Sequence, residues 1–196
     1  MILQNMNGLS FYQYPNLNQF DKLIHGVFTR ASGFSKNPFH SLNVGFSTGD
    51  DEKNVNQNRH AIAECMGALS PVFAKQVHGK TVINIDKIHG PVGLHKKNEP
   101  ARNLDGYSGG HLEGDAMVTS LTGIMPVIQV ADCQPVFLFD PQKKVVANIH
   151  SGWRGSIKNI IGHTITCMSD DFNCIPSDII AGIGPSLGPC CAEFKN

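Results

Sequence analysis

Val127-Ile128-Gln129-Val130-Ala131-Asp132-Cys133-Gln134-Pro135-Val136-Phe137-Leu138-Phe139-Asp140 is followed, after four residues, by Val145-Val146-Ala147-Asn148-Ile149-His150-Ser151-Gly152-Trp153-Arg154-Gly155. Val127–Ala131, Val136–Asp140 and Val145–Ile149 are short runs rich in branched and aromatic side chains, which predicts strands. Pro135 has no N–H to give a ladder, so it marks a turn or an edge position. From Trp153 the period changes. Trp153, Ile157, Ile160, Ile161, Ile165 and Met168 recur at helical spacing, which predicts a helix to Met168 with Ser151 as its N-cap and Trp153 packed in the core.

Outward from this stretch, Val72–Val77, Thr81–Ile85, Ala116–Thr119 and Ile179–Ile183 read as further strands, and Asp50 to Met66 as a second helix. Strands with few helices between them point to an α+β or a layered α/β/α domain. The segment 88–113 is the one compositional break, with five glycines, two prolines and three histidines. A loop longer than about 12–15 residues with so little apolar content reads as a mobile insertion.

The chain has 196 residues, with 16 Lys+Arg against 16 Asp+Glu and a net charge of zero. That length suits one domain over residues 1–196, large enough to fold without a disulfide or a structural metal. A neutral balance with no basic block excludes a nucleic-acid or membrane-surface partner, either of which needs a positive face. No apolar run approaches the roughly 18 residues of a membrane span. Met1 to Gln19 lacks a basic region followed by an apolar core, so a cytoplasmic protein is expected. The six cysteines, at 65, 133, 167, 174, 190 and 191, then read as thiols.

Three candidate metal ligands, His78, Cys133 and His150, each follow an apolar run, so each is expected to point from a strand end towards a common rim. Two imidazoles and one thiolate form the ligand set of a catalytic zinc and leave a fourth position open. The competing reading is separate core and hydrogen-bonding roles, because a buried cysteine commonly serves as a small hydrophobe. The helix start at Ser151-Gly152, with Arg154 beside it, suits an oxyanion such as phosphate, or is an ordinary N-cap. Asp115 and Asp132 either orient a metal-bound histidine, serve in acid–base chemistry, or cap turns. Arg59 falls on the helix expected from Asp50 to Met66, where a solvated face is the plain alternative.

These residues sit inside an ordered set of motifs. They are Thr29-Arg30, Ser35-x-x-Pro38-Phe39-x-Ser41-Leu42-Asn43-x-Gly45, Gly49-Asp50 and Val55-x-x-Asn58-Arg59, then Gln76-Val77-His78-Gly79 and Gly114-Asp115-Ala116-Met117-Val118-Thr119. Ala131-Asp132-Cys133-x-Pro135-Val136, His150-x-Gly152-Trp153-Arg154-Gly155 and Gly184-Pro185-Ser186-x-Gly188-Pro189-Cys190-Cys191 complete the series. From about residue 25 onward the chain closely resembles the laccase-domain family, the multicopper polyphenol oxidoreductase-like proteins also described as purine nucleoside phosphorylases.

The resemblance implies an α/β chain: a single compact layered α/β/α domain with a mixed sheet and zinc held by His78, Cys133 and His150. It implies phosphorolysis of adenosine, inosine and methylthioadenosine, with hydrolytic deamination of adenosine. Purine nucleoside and phosphate are then the partners. Arg59, Asp115 and Asp132 are the catalytic candidates, and Asn43, Arg154 and Ser151 the substrate-binding ones. Copper is the alternative metal, because a trigonal His₂Cys site with a weak axial methionine is also a copper geometry; Met117 or Met125 would be that ligand, although a place in the core is the plainer reading of both. A copper-dependent phenol oxidase is the second reading, although none of the nine histidines forms the His-x-His pair of a true multicopper oxidase. A nucleoside-binding module with impaired catalysis is the third. Family members have Gly-Gly at Ser32-Gly33 and Ala at Ser151, and they continue past Cys190-Cys191, so the chain is expected to lack the family's C-terminal portion.

Overall fold

Asn7 and Gly8 both take left-handed backbone angles, with φ of 51° and 81°. Two such residues make the turn whose twist matches a pair of antiparallel strands. They join β1 (Ile2–Met6) to β2 (Leu9–Gln13) in a register that sets Met6 opposite Leu9, and β3 (Val27–Phe28) pairs on the far side of β2. This three-stranded sheet was not anticipated from the sequence, because β1 exposes both faces and shows no clean alternation. The computed structural model describes residues 1–67, 69–88, 112–188 and 190–191. Residues 89–111 of the expected mobile insertion lie outside the described residues. The chain divides into two compact units at Pro71–Val72.

In the first unit the turn α1 (Pro15–Asn18) follows β2, and α2 (Glu52–Cys65) is the helix expected from Asp50. Its N-cap is Asp51, whose carboxylate accepts the Lys53 N–H, and Glu52 sits favourably against the helix dipole. Val55, Asn58, Arg59, Ile62, Ala63 and Cys65 form its buried face. The Phe11 and Phe28 rings lie tilted against one another with centroids 5.1 Å apart. A side chain at Gly26 would strike Met66 and Phe11, so glycine allows this core to close.

The second unit holds a five-stranded mixed sheet. Its strands are β5 (Val82–Asn84), β6 (Ala116–Thr119), β8 (Gln134–Asp140), β9 (Val145–Ser151) and β10 (Ile180–Ile183), in the order β10-β8-β9-β6-β5. Only β5 and β6 run parallel; the other neighbours are antiparallel. The mixed α/β sheet is as expected. β7 (Ile124–Val127) pairs separately with β4 (Ser70–Phe73), so two expected strands lie earlier than their apolar runs. Pro135 stands inside β8 and not at a turn. Its partner His150 sends its N–H to Asp115 on the other side, and β10 has ended beside Pro135, so no ladder bond needs the missing donor.

Alternation along these strands assigns the two faces. Ala116, Val118, Val136, Leu138, Val145, Ala147 and Ile149 pack with Ile160 and Met168 of the covering helix, α4 (Ile160–Phe172). Met117 points the other way, into a cluster with Val72 and Ile85, and so serves as core. Asp115 and His150 belong to that same opposite face.

The helix expected from Trp153 to Met168 is two. α3 (Trp153–Ile157) ends at Lys158, and Asn159, with φ of 56°, caps α4 through its side chain on the Gly162 N–H. The break rotates the first turn away from the core. Trp153 is 48% exposed and Ile157 78%, against the expectation that both pack inside. Gly152 is the N-cap residue of α3; Ser151 closes β9.

Candidate metal centre

In the β6–β9 register Ala116 faces Ile149, so one step outward Asp115 faces His150, and the His150 N–H donates to the Asp115 carbonyl at 2.7 Å. Residues paired across antiparallel strands share a face, so the two side chains meet, with His150 Nδ1 2.8 Å from Asp115 Oδ1. A carboxylate can only accept, so this contact puts the proton on Nδ1 and leaves Nε2 as a free lone pair.

The same carboxylate organises His78. Three successive backbone N–H groups converge on it: His78 at 2.9 Å to Oδ1, and Gly79 at 2.7 Å and Val77 at 3.3 Å to Oδ2. Consecutive N–H groups around one anion form a nest, and the chain bends to make it. His78 takes φ of 57°, a left-handed conformation that a β-carbon disfavours by about 1–2 kcal/mol. Burial raises the Asp115 carboxyl, but the N–H groups of Gly79, Val77 and His78 together with His150 outweigh it and hold the group ionised below its usual range.

Cys133 comes from the opposite edge of β9. Gln134 pairs with Ser151, which places Cys133 beside Gly152. The donor atoms of His78, Cys133 and His150 all lie within 4.8 Å of one another, and the two imidazoles meet edge to face. Gly152 makes the space: a β-carbon there would sit 3.0 Å from Cys133 Sγ and 3.1 Å from His78. Burial and the charges of Asp132 and Asp115 push the Cys133 thiol up, so a bound cation must displace its proton.

These features fit a divalent ion: two imidazoles, a thiol, one tautomer already fixed by a carboxylate, and a residue without a side chain beside them. The three expected ligands are brought together. The route differs from expectation, because only His150 lies on a strand. His78 is in the loop after β4, and Cys133 ends the loop between β7 and β8.

The other candidates have these places. Asp115 is fully buried beneath the donors, whereas Asp132 is exposed and its carbonyl accepts the Leu187 N–H. Ser156 Oγ donates to the Gly152 carbonyl and meets Ser151 Oγ at 2.9 Å, so Ser151 is a buried hydrogen-bonding partner and not a helix cap. The Arg154 guanidinium lies 4.3 Å over the Trp153 ring. Asn43 and Arg59 lie in the first unit. Asn43 donates to Gly45, Thr48 and Asp50, and accepts the Gly45 N–H. Arg59 is buried, with Nε on the Val44 carbonyl and its plane 4.2 Å over Phe46, against the alternative of a solvated face. Gly152 and Gln76 are structural parts of the centre that residue type did not single out; their place in the quoted motifs was the only signal.

The family model described as multi-copper polyphenol oxidoreductase laccase matches residues 24–196. The chain is 32% identical over 174 residues to the purine nucleoside phosphorylase YlmD of Geobacillus stearothermophilus, covering 88% of this chain and 60% of that one. It is 36% identical over 174 residues to a purine nucleoside phosphorylase of Corynebacterium glutamicum, covering 86% and 63%. The crystal structure of the Geobacillus YlmD superposes with a TM-score of 0.78 at 30% identity, over 96% of this chain and 66% of that one. The chain thus spans about three fifths of the length of these curated relatives. Matched along most of its length, the chain belongs to the multi-copper polyphenol oxidoreductase laccase family.

Proposed function

We propose that this protein is a zinc-dependent purine nucleoside phosphorylase, acting on adenosine, inosine and methylthioadenosine and also deaminating adenosine. The convergence of His78, Cys133 and His150 over the Asp115 carboxylate carries this reading, and the names of the relatives supply the substrate class. The family match across both units supports taking residues 1–196 as one family domain. No helix among the described residues is long and apolar enough to cross a membrane; a cytoplasmic location is part of the proposal.

In phosphorolysis a phosphate oxygen bonds to the anomeric carbon, the glycosidic C–N bond breaks, and the base leaves with a proton. In deamination water adds to the amino-bearing ring carbon and ammonia departs. His78, Cys133 and His150 would hold the ion, which supplies Lewis-acid activation of an oxygen nucleophile. Asp115 holds the Nδ1 proton of His150 and keeps the imidazole aimed; its carboxylate accepts from three backbone N–H groups and from His150, so it positions and does not shuttle. Asp132, exposed beside Cys133, is the residue to hold and move a proton. Arg154 offers a cation for phosphate and Ser151 fixes the backbone between His150 and α3. Asn43 and Arg59 act by holding the loop Leu42–Asp50.

The test is adenosine with and without phosphate, products separated by chromatography, before and after chelation. Adenine appearing only with phosphate, inosine without it, and loss of both on chelation are expected. Absence of both products from zinc-loaded protein overturns the proposal. The family's description keeps a copper-dependent phenol oxidase as the second reading. Oxygen uptake with phenols by copper-loaded protein would favour it over the first.

A further inference from the structure

The run Lys75 to Gly79 is tied residue by residue to the rest of the centre. The Lys75 N–H donates to Leu112 at 2.7 Å and its carbonyl accepts from Gly114 at 3.1 Å, just ahead of Asp115. Val77, His78 and Gly79 donate to the Asp115 carboxylate. Between them, the Gln76 side chain reaches elsewhere. Its Nε2 donates to the Gln129 carbonyl at 2.8 Å, and its Oε1 accepts the Gln129 N–H at 2.7 Å.

A carboxamide that both donates to and accepts from one residue behaves as an added rung of a ladder, fixing direction as well as distance. Gln76 precedes His78 by two residues, and Gln129 precedes Cys133 by four. The chain between β7 and β8 belongs to no strand. On its far side Cys133 is held by Gln134 in the β8–β9 ladder. On its near side, the Gln76 clamp holds the same loop to the stretch that presents His78.

We propose that Gln76 is a positioning residue for the metal centre: by clamping Gln129 it sets the reach between the Cys133 thiol and the His78 imidazole, and with it the affinity for a divalent ion. The inference rests on the metal reading above. Partners that hold metal ligands in place typically change affinity 10–100-fold when removed.

The experiment compares the full chain with Gln76→Met, which keeps length but neither polar atom, and Gln76→Glu, which keeps the acceptor and loses the donor. Each protein is titrated with cobalt(II), reading the thiolate and ligand-field bands, melted in chelator, and followed by amide exchange at Gln129. Expected are a 10–100-fold weaker cobalt affinity and shifted bands for Gln76→Met, a smaller loss for Gln76→Glu, faster Gln129 exchange in Gln76→Met, and metal-free melting within a few degrees of the parent. Equal affinity and bands in all three proteins overturn the inference. So does an affinity loss matched by an equally large fall in metal-free stability, which makes Gln76 a plain structural residue. Should Gln76→Met not fold, Gln76→Glu carries the comparison. A parent protein that binds no cobalt overturns the metal reading and this inference together, a result distinct from indifferent variants of a binding parent.

Discussion

Asp115 and His150 face one another across β6 and β9, His150 Nδ1 2.8 Å from a carboxylate that also gathers the backbone N–H groups of Val77, His78 and Gly79. One buried anion thereby fixes the tautomer of one ligand and the backbone of another. Asp115→Asn turns an amide N–H₂ either towards the backbone N–H groups, which can only donate, or towards His150 Nδ1, which can accept it only by moving its proton to Nε2. Zinc affinity, measured by competition with a chromophoric chelator, should fall about 10–100-fold. Denaturant unfolding should show a loss of about 1–3 kcal/mol from the buried unmet donors.

Gly152→Ala separates space from backbone. Gly152 has φ of −72° and ψ of 167°, angles alanine adopts freely, yet its β-carbon would crowd Cys133 Sγ and His78. The fold should persist by circular dichroism while stoichiometric zinc disappears from elemental analysis. Retained zinc would show that the neighbours can move aside.

Removing the thiolate tests the donor set directly. Cys133→Ala should leave less than stoichiometric zinc after dialysis and abolish phosphorolysis, since two imidazoles alone rarely hold a catalytic ion. Full zinc content in this variant would reassign the centre.

The first unit has its own test. Asn58 is fully buried, donates to Ser35, Ser41 and Asn43, and accepts the Phe34 N–H. Asn58→Ala strands several of these groups, and the expected cost is about 2–4 kcal/mol in denaturant unfolding. A loss under 0.5 kcal/mol, roughly that of an ordinary surface change, would argue against the network.

Acid sensitivity should include His25. Its Nε2 accepts the Tyr14 N–H at 2.9 Å, and burial lowers its pKa. The unfolded chain then takes up the proton first, from about pH 6.5 downward. Its stabilising contribution is complete above that pH and is lost as pH falls through the folded value. The denaturation midpoint of the parent should drop more steeply on acidification than that of His25→Gln. Parallel curves would remove His25 from the account.

How far the sequence reaches is clear from particular elements. Ala116–Thr119 and Val145–Ile149 were legible because burial on both faces leaves apolar residues in continuous runs. β7 was misplaced by three residues at its start, since Ile124–Val127 and Val127–Ala131 are equally apolar and only pairing with β4 chooses between them. The division between α3 and α4 was hidden because the apolar period continues through Lys158 and Asn159; the left-handed Asn159 breaks it.

By itself the sequence determined the chemistry available: which residues can ligate a metal, which carry charge, and which runs must be buried. Tertiary structure alone decided that Asp115 serves two ligands, that Gly152 must lack a side chain, and that Trp153 faces solvent. The reason is physical. Asp115 and His150 are 35 residues apart in the chain, and strand register, loop closure and steric fit set their meeting; no local pattern of residue types encodes them.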